Sequence, residues 1–314
     1  MRTFAPGKVV LTGAYAVLEG APAIAAAVSR GALADSSRAA PKPTPEVEAA
    51  LGAGAAAPHV DAQAMFTREP RKLGLGASAA ILVASLAAVE ADAGADLSSA
   101  AVRERLFERA RAAHAKAQSG GSGVDVAASV HGGVIRYVID QPVKRVALPP
   151  GLEVHVFACA TSARTSDLRA EVDRLASTDP STHRACLDEL GAIAVDAARA
   201  VDTADGAAFV ESLRRTARAL ARLGDAANVG IVPAGFDDLE AIAARAEASF
   251  SGAGAGGGDV AVYVGPSGPS FTFVERAHAL GLFAIDLSLD YKGVRIAPVA
   301  PVFTAAAQGA PEQR

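Results

Sequence analysis

Three glycine-rich segments, far apart in the chain, constrain most strongly what it can fold into. They are residues 6–8 (PGK), residues 73–80 (LGLGASAA) and residues 251–259 (SGAGAGGGD). Glycine lets a backbone approach a phosphate closely, so that consecutive N–H groups point at its oxygens. One such segment is weak evidence, but three in one chain, with Lys8 in the first, predict a nucleotide-dependent phosphoryl transferase.

The second segment leads into an apolar stretch that predicts a helix over residues 79–91. A helix N-terminus adds positive charge to the N–H groups of the loop before it. No Gly-Lys-Ser/Thr follows the glycines, so this is not a Walker A loop, and the spacing is not that of a dinucleotide-binding fingerprint. The alternative is an ordinary glycine turn before a core helix. We expect phosphate binding here, with the Ser78 hydroxyl available to phosphate or Mg²⁺.

A fourth segment, residues 121–125 (GSGVD), supplies the carboxylate of Asp125. At such a boundary Asp125 can cap a helix, or it can take the proton of a substrate hydroxyl during phosphoryl transfer. Lys8 by default is a surface lysine, yet one cation beside the transferring phosphoryl would stabilise developing charge. Residues 251–259 are expected to wrap an anion, and the alternative is a flexible linker.

Composition limits the classes of partner. The 314 residues suffice for two domains. With 30 basic against 34 acidic residues, the net charge of −4 argues against nucleic acid or an anionic membrane as the main partner. Two cysteines without a CxxC or clustered histidines argue against a zinc site or a disulfide framework. We expect a cytoplasmic protein without a membrane partner, either a monomer or a homodimer.

The apolar pattern mixes helices and strands without a regular βαβ period, which predicts an α+β fold in two domains. Residues 36–64, rich in Ala, Pro and Gly, predict a loop or a poorly ordered insertion. The expected helices are 79–91, 99–116, 126–130, two across 181–224, and 236–249. The expected strands are 9–11, 23–28, 132–137, 152–160, 260–264 and 283–289.

The three motifs, in this order, resemble those of the GHMP kinase family, named for galactokinase, homoserine kinase, mevalonate kinase and phosphomevalonate kinase. Residues 6–20 are similar to the first family motif, residues 74–80 to the second and residues 251–259 to the third. The resemblance implies a ribosomal S5 domain 2-like domain over residues 1–150 and a ferredoxin-like domain over residues 151–314. ATP would lie between them, with its phosphates over the second motif. The resemblance assigns ATP to Gly74, Leu75, Gly76, Ala77, Ser78 and Ala79.

Within the family, residues 113–118 (AHAKAQ) and 121–129 (GSGVDVAAS) are similar to the phosphomevalonate kinase branch. That likeness implies ATP-dependent phosphorylation of 5-phosphomevalonate to 5-diphosphomevalonate in isoprenoid precursor synthesis, with ATP and Mg²⁺ as cofactors. It assigns catalysis to Asp125 and Lys8, and metal contact to Ser78. The residues implied for the acceptor are Tyr15, His114, Lys116, Ser122, Gly123, Arg164, Gly254 and Gly256. Further cations expected near an anionic acceptor are Arg71, Lys72, Arg136 and Lys292.

The chain departs from the family pattern at a few positions. Ala14 stands where the family usually has Glu, and Ala77 replaces the first serine of a Ser-Ser pair. The third motif is longer by a Gly-Ala step and lacks the lysine that commonly precedes it. The alternatives are therefore mevalonate kinase or another GHMP small-molecule kinase, and a nucleotide-binding regulatory protein without turnover. The presence of Lys8, Ser78 and Asp125 favours an active kinase.

Overall fold

The computed structural model describes residues 1–67, 71–159 and 165–298. The helices and strands of this part of the chain are, in order, β1 (Arg2–Thr12), β2 (Ala23–Ala39), α1 (Pro45–Leu51), β3 (Pro58–Asp61), α2 (Ala77–Asp92), α3 (Ala100–Ala117), α4 (Val124–His131), β4 (Val134–Tyr137), β5 (Lys144–Val146), β6 (Glu153–Cys159), α5 (Thr165–Thr178), α6 (Pro180–Asp202), α7 (Gly206–Ala227), α8 (Phe236–Ala244), β7 (Ser249–Gly252), β8 (Val260–Gly265), α9 (Phe271–Ala279), β9 (Leu282–Ile285) and β10 (Arg295–Ile296). Within these ranges no helix is both long and apolar enough to span a bilayer.

The first sheet has the strand order β10-β1-β2-β4-β5, with β3 also paired to β2, and its pairs are antiparallel. Strand β2 is a continuous apolar run over residues 23–28, and these residues have no exposed surface. Helix α2 packs on β1 and β2 and is apolar around most of its circumference, as expected for a helix buried on all sides. This packing fixes the N-terminus of α2 beside β1.

The second sheet is antiparallel with the order β7-β8-β6-β9. Numbered along the chain, its strands lie in the order 2-3-1-4, which is the ferredoxin-like arrangement. Helices α5 to α8 form the first crossover, and α9 alone forms the second. The α+β class predicted from the sequence is therefore confirmed.

The two sheets share one hydrophobic core. Val156 and Val260 of the second sheet belong to the same buried cluster as Val9 and Ile24 of the first. The last strand, β10, returns to the first sheet and pairs with β1. The division into residues 1–150 and 151–314 stays a prediction. The shared core keeps both sheets close to the N-terminus of α2, where the sequence motifs meet.

Several predicted elements have the expected extent, and one stretch was predicted wrongly. The helices expected at 79–91 and 99–116 are confirmed, as are the two expected across 181–224. The expected loop at 36–64 is wrong, because β2 continues to Ala39 and both α1 and β3 lie in this stretch. Helix α1 begins with Pro45 after Thr44, whose hydroxyl accepts a hydrogen bond from the Val47 N–H. This cap and the packing of α1 against α3 stabilise the helix although its sequence lacks a clear apolar period.

Two predicted elements in the second half of the chain end earlier than expected. The helix predicted at 236–249 ends at Ala244, and residues 249–252 form β7 instead. Ser249 and Phe250 are buried and pair with β8, so sheet pairing prevails over the apolar pattern of the preceding helix. The strand predicted at 283–289 is β9 and ends at Ile285.

Candidate active site

The three glycine-rich segments meet at one cleft of about 810 Å³. The first and second are joined where the Lys8 N–H donates a hydrogen bond to the Leu75 carbonyl at 2.8 Å. The second and third touch at Gly74, where a Cβ would lie only 2.6 Å from Asp259 Cβ. Gly74 also has a φ of +73°, so both its conformation and its surroundings require glycine. Segments separated by almost 200 residues in sequence therefore form one wall.

A cation, a helix N-terminus and a carboxylate converge in this cleft. A Cβ on Gly76 would lie 3.1 Å from Lys8 Cε and 3.5 Å from Asp125 Cβ, so Gly76 separates the two side chains. Gly76 precedes α2 in a left-handed conformation, and no side chain of the described residues caps this helix. The first N–H groups of α2 are thus open to an anion.

Helix α4 begins directly after Gly123, which has a left-handed backbone conformation, and Asp125 lies in its first turn. Its carboxylate accepts a hydrogen bond from the Val126 N–H at 3.2 Å. At the other end of α4, the Ser129 hydroxyl donates to the Pro6 carbonyl at 2.6 Å, which ties the helix to β1. Both Lys8 and Asp125 are therefore positioned by regular elements rather than by mobile loops.

Ser78 lies in the first turn of α2 and belongs to a hydrogen-bonded network. Its Oγ is 3.2 Å from His114 Nε2, and the Gln118 amide donates to the same Oγ at 3.2 Å. Gln118 Nε2 also donates to Glu46 Oε1 at 3.0 Å. Gln118 follows α3 directly and is four residues after His114, so it continues the helix face that carries His114.

Tyr15 anchors the third segment. Its hydroxyl donates a hydrogen bond to the Ala255 carbonyl at 2.9 Å. Burial, together with the nearby charge of Asp173, raises the pKa of Tyr15 to about 12, so the hydroxyl stays protonated and can donate. The Gly254 N–H donates to the Val10 carbonyl at 3.2 Å. The third segment is thereby held directly against β1.

The glycines of the third segment have a packing role as well, which the sequence analysis did not expect. A Cβ on Gly256 would lie 2.2 Å from the Ile231 carbonyl oxygen, and the Gly257 N–H donates to that oxygen at 2.8 Å. At Gly256, close packing against Ile231 is therefore a reason for glycine that does not require an anion. The interpretation as a flexible linker fails, since these contacts fix the backbone.

The lysines and arginines of the described residues that line the cleft are Lys8, Lys72 and Arg169. Arg169 lies on α5, and its Nη1 is 3.7 Å from a Cβ placed on Gly120. It also pairs with Asp173 at 3.8 Å. Sequence reasoning missed Arg169 because no motif surrounds it and only the packing of α5 brings it to the loop before α4.

The structure brings most of the predicted residues together. Those that line the cleft are Lys8, Tyr15, Gly74, Gly76, Ala77, Ser78, His114, Ser122, Gly123, Asp125, Gly254 and Gly256. Leu75 and Ala79 are buried behind the wall, each 1% exposed. The cleft lining within the described residues does not include Arg71, Lys116, Arg136 or Lys292. Arg164 lies outside the described residues.

Lys116 and Arg136 have evident reasons to lie elsewhere. Lys116 is two residues from both His114 and Gln118, so the helical period turns it to the opposite, exposed face of α3. The Arg136 guanidinium pairs with Asp202 at 2.5 Å. The same period shows that Gln118, which the sequence analysis did not select, faces Ser78.

The donor groups suit a magnesium ion that arrives with a nucleotide. Within the described residues, no group of three or more His, Cys, Asp or Glu side chains could hold a metal ion. Mg²⁺ is usually bound by one or two carboxylates together with substrate phosphates and water. The Ser78 hydroxyl and the Asp125 carboxylate, both lining the cleft, match such a partial set.

Comparisons with known proteins agree with this geometry. The family model for the GHMP kinases N terminal domain matches residues 47–133. A phosphomevalonate kinase of Streptomyces sp. (strain CL190) is 29% identical over 255 residues. That match covers 71% of this chain and 66% of the relative, so the chain spans just under two thirds of the relative's length.

Solved structures share the fold over nearly the whole chain. The Lin0012 protein of Listeria innocua has a TM-score of 0.80 at 20% identity, covering 94% of this chain and 99% of its own. Phosphomevalonate kinase of Streptococcus pneumoniae, in complex with phosphomevalonate and AMPPNP, has a TM-score of 0.72 at 18% identity, covering 92% and 99%. At these identities the structures establish a common fold. The matched N-terminal domain, the similarity to the curated relative and the shared fold all agree with the motifs, and residues 47–133 form a GHMP kinases N terminal domain.

Proposed function

We propose that this chain transfers the γ-phosphoryl group of ATP to the phosphate of 5-phosphomevalonate, giving ADP and 5-diphosphomevalonate. The observation that carries the proposal is the convergence of Lys8 and Asp125 on the open N-terminus of α2. The phosphomevalonate kinase relative supports the choice of acceptor.

The second segment would hold the ATP phosphates. Gly74 and Gly76 permit close approach of a phosphate, and the N–H groups of Ala77, Ser78 and Ala79 begin α2. Their hydrogen bonds and the positive end of the helix would stabilise the β- and γ-phosphates. Leu75 and Ala79 would contribute through their backbones, since their side chains are buried.

The chemistry needs little from a base. An oxygen of the acceptor phosphate attacks the γ-phosphorus, and the bond to the bridging oxygen breaks so that ADP leaves with its electron pair. A phosphate monoester loses its second proton near pH 6, so most of the acceptor is already a dianion at neutral pH. Asp125 would orient the acceptor. It would also accept the proton from those acceptor molecules that are still monoanions. Lys8 would offset the negative charge spread over the transferring group.

When bound, Mg²⁺ would neutralise charge on the ATP phosphates. Ser78 and Asp125 are the residues of this chain that would contact it. The remaining contribution of the protein is to position both substrates and to exclude water between them.

The acceptor carries a phosphate and a carboxylate, so it requires local positive charge in a chain whose net charge is −4. Lys72 and Arg169 line the cleft and would bind these anionic groups, with Tyr15, Ser122, Gly254 and Gly256 completing the acceptor side. An unphosphorylated acceptor such as mevalonate would need fewer cations. The second alternative is nucleotide binding without turnover. The observation in its favour is that Ala14 and Ala77 stand where the family usually has Glu and Ser.

The test is a coupled ADP-release assay with Mg·ATP, run in parallel on 5-phosphomevalonate, on mevalonate and without acceptor. Turnover on 5-phosphomevalonate alone is the expected result. Turnover on mevalonate alone would retain the kinase and overturn the acceptor. ATP binding by calorimetry without turnover on either compound would favour the regulatory alternative.

A further inference from the structure

Glu46 is a buried carboxylate that the proposed reaction does not use. It lies in α1 and is 8% exposed, and it is absent from the residues that line the cleft. No lysine or arginine of the described residues forms an ion pair with it. The buried or half-buried glutamates that do form ion pairs with arginines are others, such as Glu90 and Glu240. A charged group in this position requires compensation by hydrogen bonds.

The compensation comes from neighbouring donors. Burial by itself raises the pKa of Glu46, but hydrogen bonds from Gln118, from its own backbone N–H and from Thr44 outweigh burial and lower that pKa. Glu46 is therefore ionised at neutral pH. Its negative charge is buried and faces the Gln118 amide at the end of α3.

An ionised Glu46 dictates how the protons of the network are arranged. A carboxylate only accepts hydrogen bonds, so the Gln118 amide must direct its nitrogen toward Glu46 at 3.0 Å. The second hydrogen on that nitrogen is then available to Ser78 Oγ at 3.2 Å. Gln118 thus donates in both directions, and Ser78 Oγ receives one hydrogen bond from behind.

The hydroxyl proton of Ser78 has an acceptor in the same network. His114 Nε2 lies 3.2 Å from Ser78 Oγ. We assign His114 the tautomer with hydrogen on Nδ1, in which Nε2 accepts the proton of Ser78. The second lone pair of Ser78 Oγ is then left for the cleft. A lone pair suits a cation, whereas a phosphate oxygen would require the hydroxyl proton.

We propose that Glu46 is a positioning residue for the metal–nucleotide complex, acting through Gln118 to hold a Ser78 lone pair toward the cation that accompanies ATP. The inference rests on the proposed function only in that Ser78 meets Mg·ATP. It does not depend on the identity of the acceptor. Two hydrogen bonds, through Gln118, connect Glu46 to Ser78. The negative charge of Glu46 further favours a cation over an anion at Ser78 Oγ.

The test measures binding without turnover. Wild type and the variant Glu46→Ala are titrated with the non-hydrolysable analogue AMPPNP, once with Mn²⁺ followed by paramagnetic resonance and once without metal in EDTA followed by calorimetry. In the variant, we expect affinity for Mn²⁺·AMPPNP to fall about tenfold, as for other groups that orient metal ligands. Affinity for metal-free AMPPNP should change less than twofold. Glu48→Ala, an exposed glutamate on the same helix, is the matched control and should change neither.

Further variants separate positioning from folding. Glu46→Gln keeps the shape of the side chain and removes the charge, so it provides the same comparison should the alanine variant fail to fold. Gln118→Ala should match Glu46→Ala, and the double variant should be no worse than either, since both act through one contact. Equal losses with and without metal, no loss in either, or additive effects of the two substitutions would overturn the proposal. Loss of activity toward 5-phosphomevalonate in wild type, with the metal preference intact, would overturn only the proposed function.

Discussion

Gly74 and Asp259 approach each other so closely that a Cβ on the glycine would lie 2.6 Å from Asp259 Cβ, and Val260 Cγ2 would be 2.9 Å away. This contact joins the second and third glycine segments at the base of the cleft. The second and third segments, which would both face ATP, are therefore held together at this contact.

Replacing Gly74 by alanine should displace the third segment and raise the KM for ATP by at least tenfold. The left-handed backbone at this position adds about 1–2 kcal/mol of strain. Gly94→Ala is the control, because Gly94 also has positive φ but no atom lies within 4 Å of its added Cβ. Steady-state kinetics measure the change in KM for ATP, and urea unfolding measures the loss of stability from backbone strain. Equal KM values for ATP in the two variants would contradict the role given to the contact.

Asp125→Asn should lower kcat by about 10²-fold or more, because the carboxylate that orients the acceptor and contacts Mg²⁺ is lost. The substitution keeps the size of the side chain and its place in the first turn of α4. Affinity for metal-free AMPPNP, measured by calorimetry, should stay within a few-fold of wild type. Near-normal turnover in this variant would show that Asp125 only caps the helix.

Arg169→Ala should raise the KM for 5-phosphomevalonate by about tenfold or more, since a hydrogen bond to a charged group contributes about 1.5–3 kcal/mol. The KM for ATP should be unchanged. The matched control is Arg174→Ala on the same helix, because Arg174 is exposed and pairs with Glu171 away from the cleft. A parallel rise in both KM values, or the same effect in the control, would argue against a specific acceptor contact.

The free energy of unfolding should decrease in mild acid because His131, at the end of α4, is buried in its neutral form. Burial, with the charges of Arg103 and Arg145, lowers the pKa of His131 to about 4 from an ordinary value of 6.5. The unfolded chain therefore binds a proton that the folded chain excludes, so stability is fully present above pH 6.5 and is lost as the pH falls toward 4.

Urea unfolding at several pH values between 7 and 4 measures this effect. The variant His131→Leu should lose less stability across that range than wild type does. His278→Leu, at an exposed histidine of α9, should follow the wild-type pH dependence. Parallel curves for wild type and His131→Leu would contradict the assignment.

The sequence predicted those features that a local pattern determines. Helices α3, α6 and α7 have clear apolar faces, and the glycine motifs occur in the family order, so both were found. Residues 36–64 lack periodicity, and α1 exists there because Thr44 caps it and α3 packs against it. No local pattern could have indicated that Glu46 would be buried behind Ser78.

The rest of the site depends on tertiary packing in a similar way. Arg169 reaches the cleft only because α5 lies over the loop at Gly120, which no spacing along the chain predicts. Gln118 was within reach of sequence reasoning, since it is one helical turn from His114. Lys116 was chosen from a motif, and the helical period would have placed it on the opposite face.

The central claim is that the γ-phosphoryl group passes to the phosphate of 5-phosphomevalonate at Lys8 and Asp125. Phosphorus-31 NMR of the reaction with Mg·ATP tests it most directly, because the two phosphates of a new diphosphate ester are resolved from inorganic phosphate. The account predicts that the diphosphate ester appears in equal amount with ADP for wild type, and at a rate at least a hundredfold lower for Asp125→Asn. ADP accompanied only by inorganic phosphate, or the same rate of ester formation in both proteins, would contradict it.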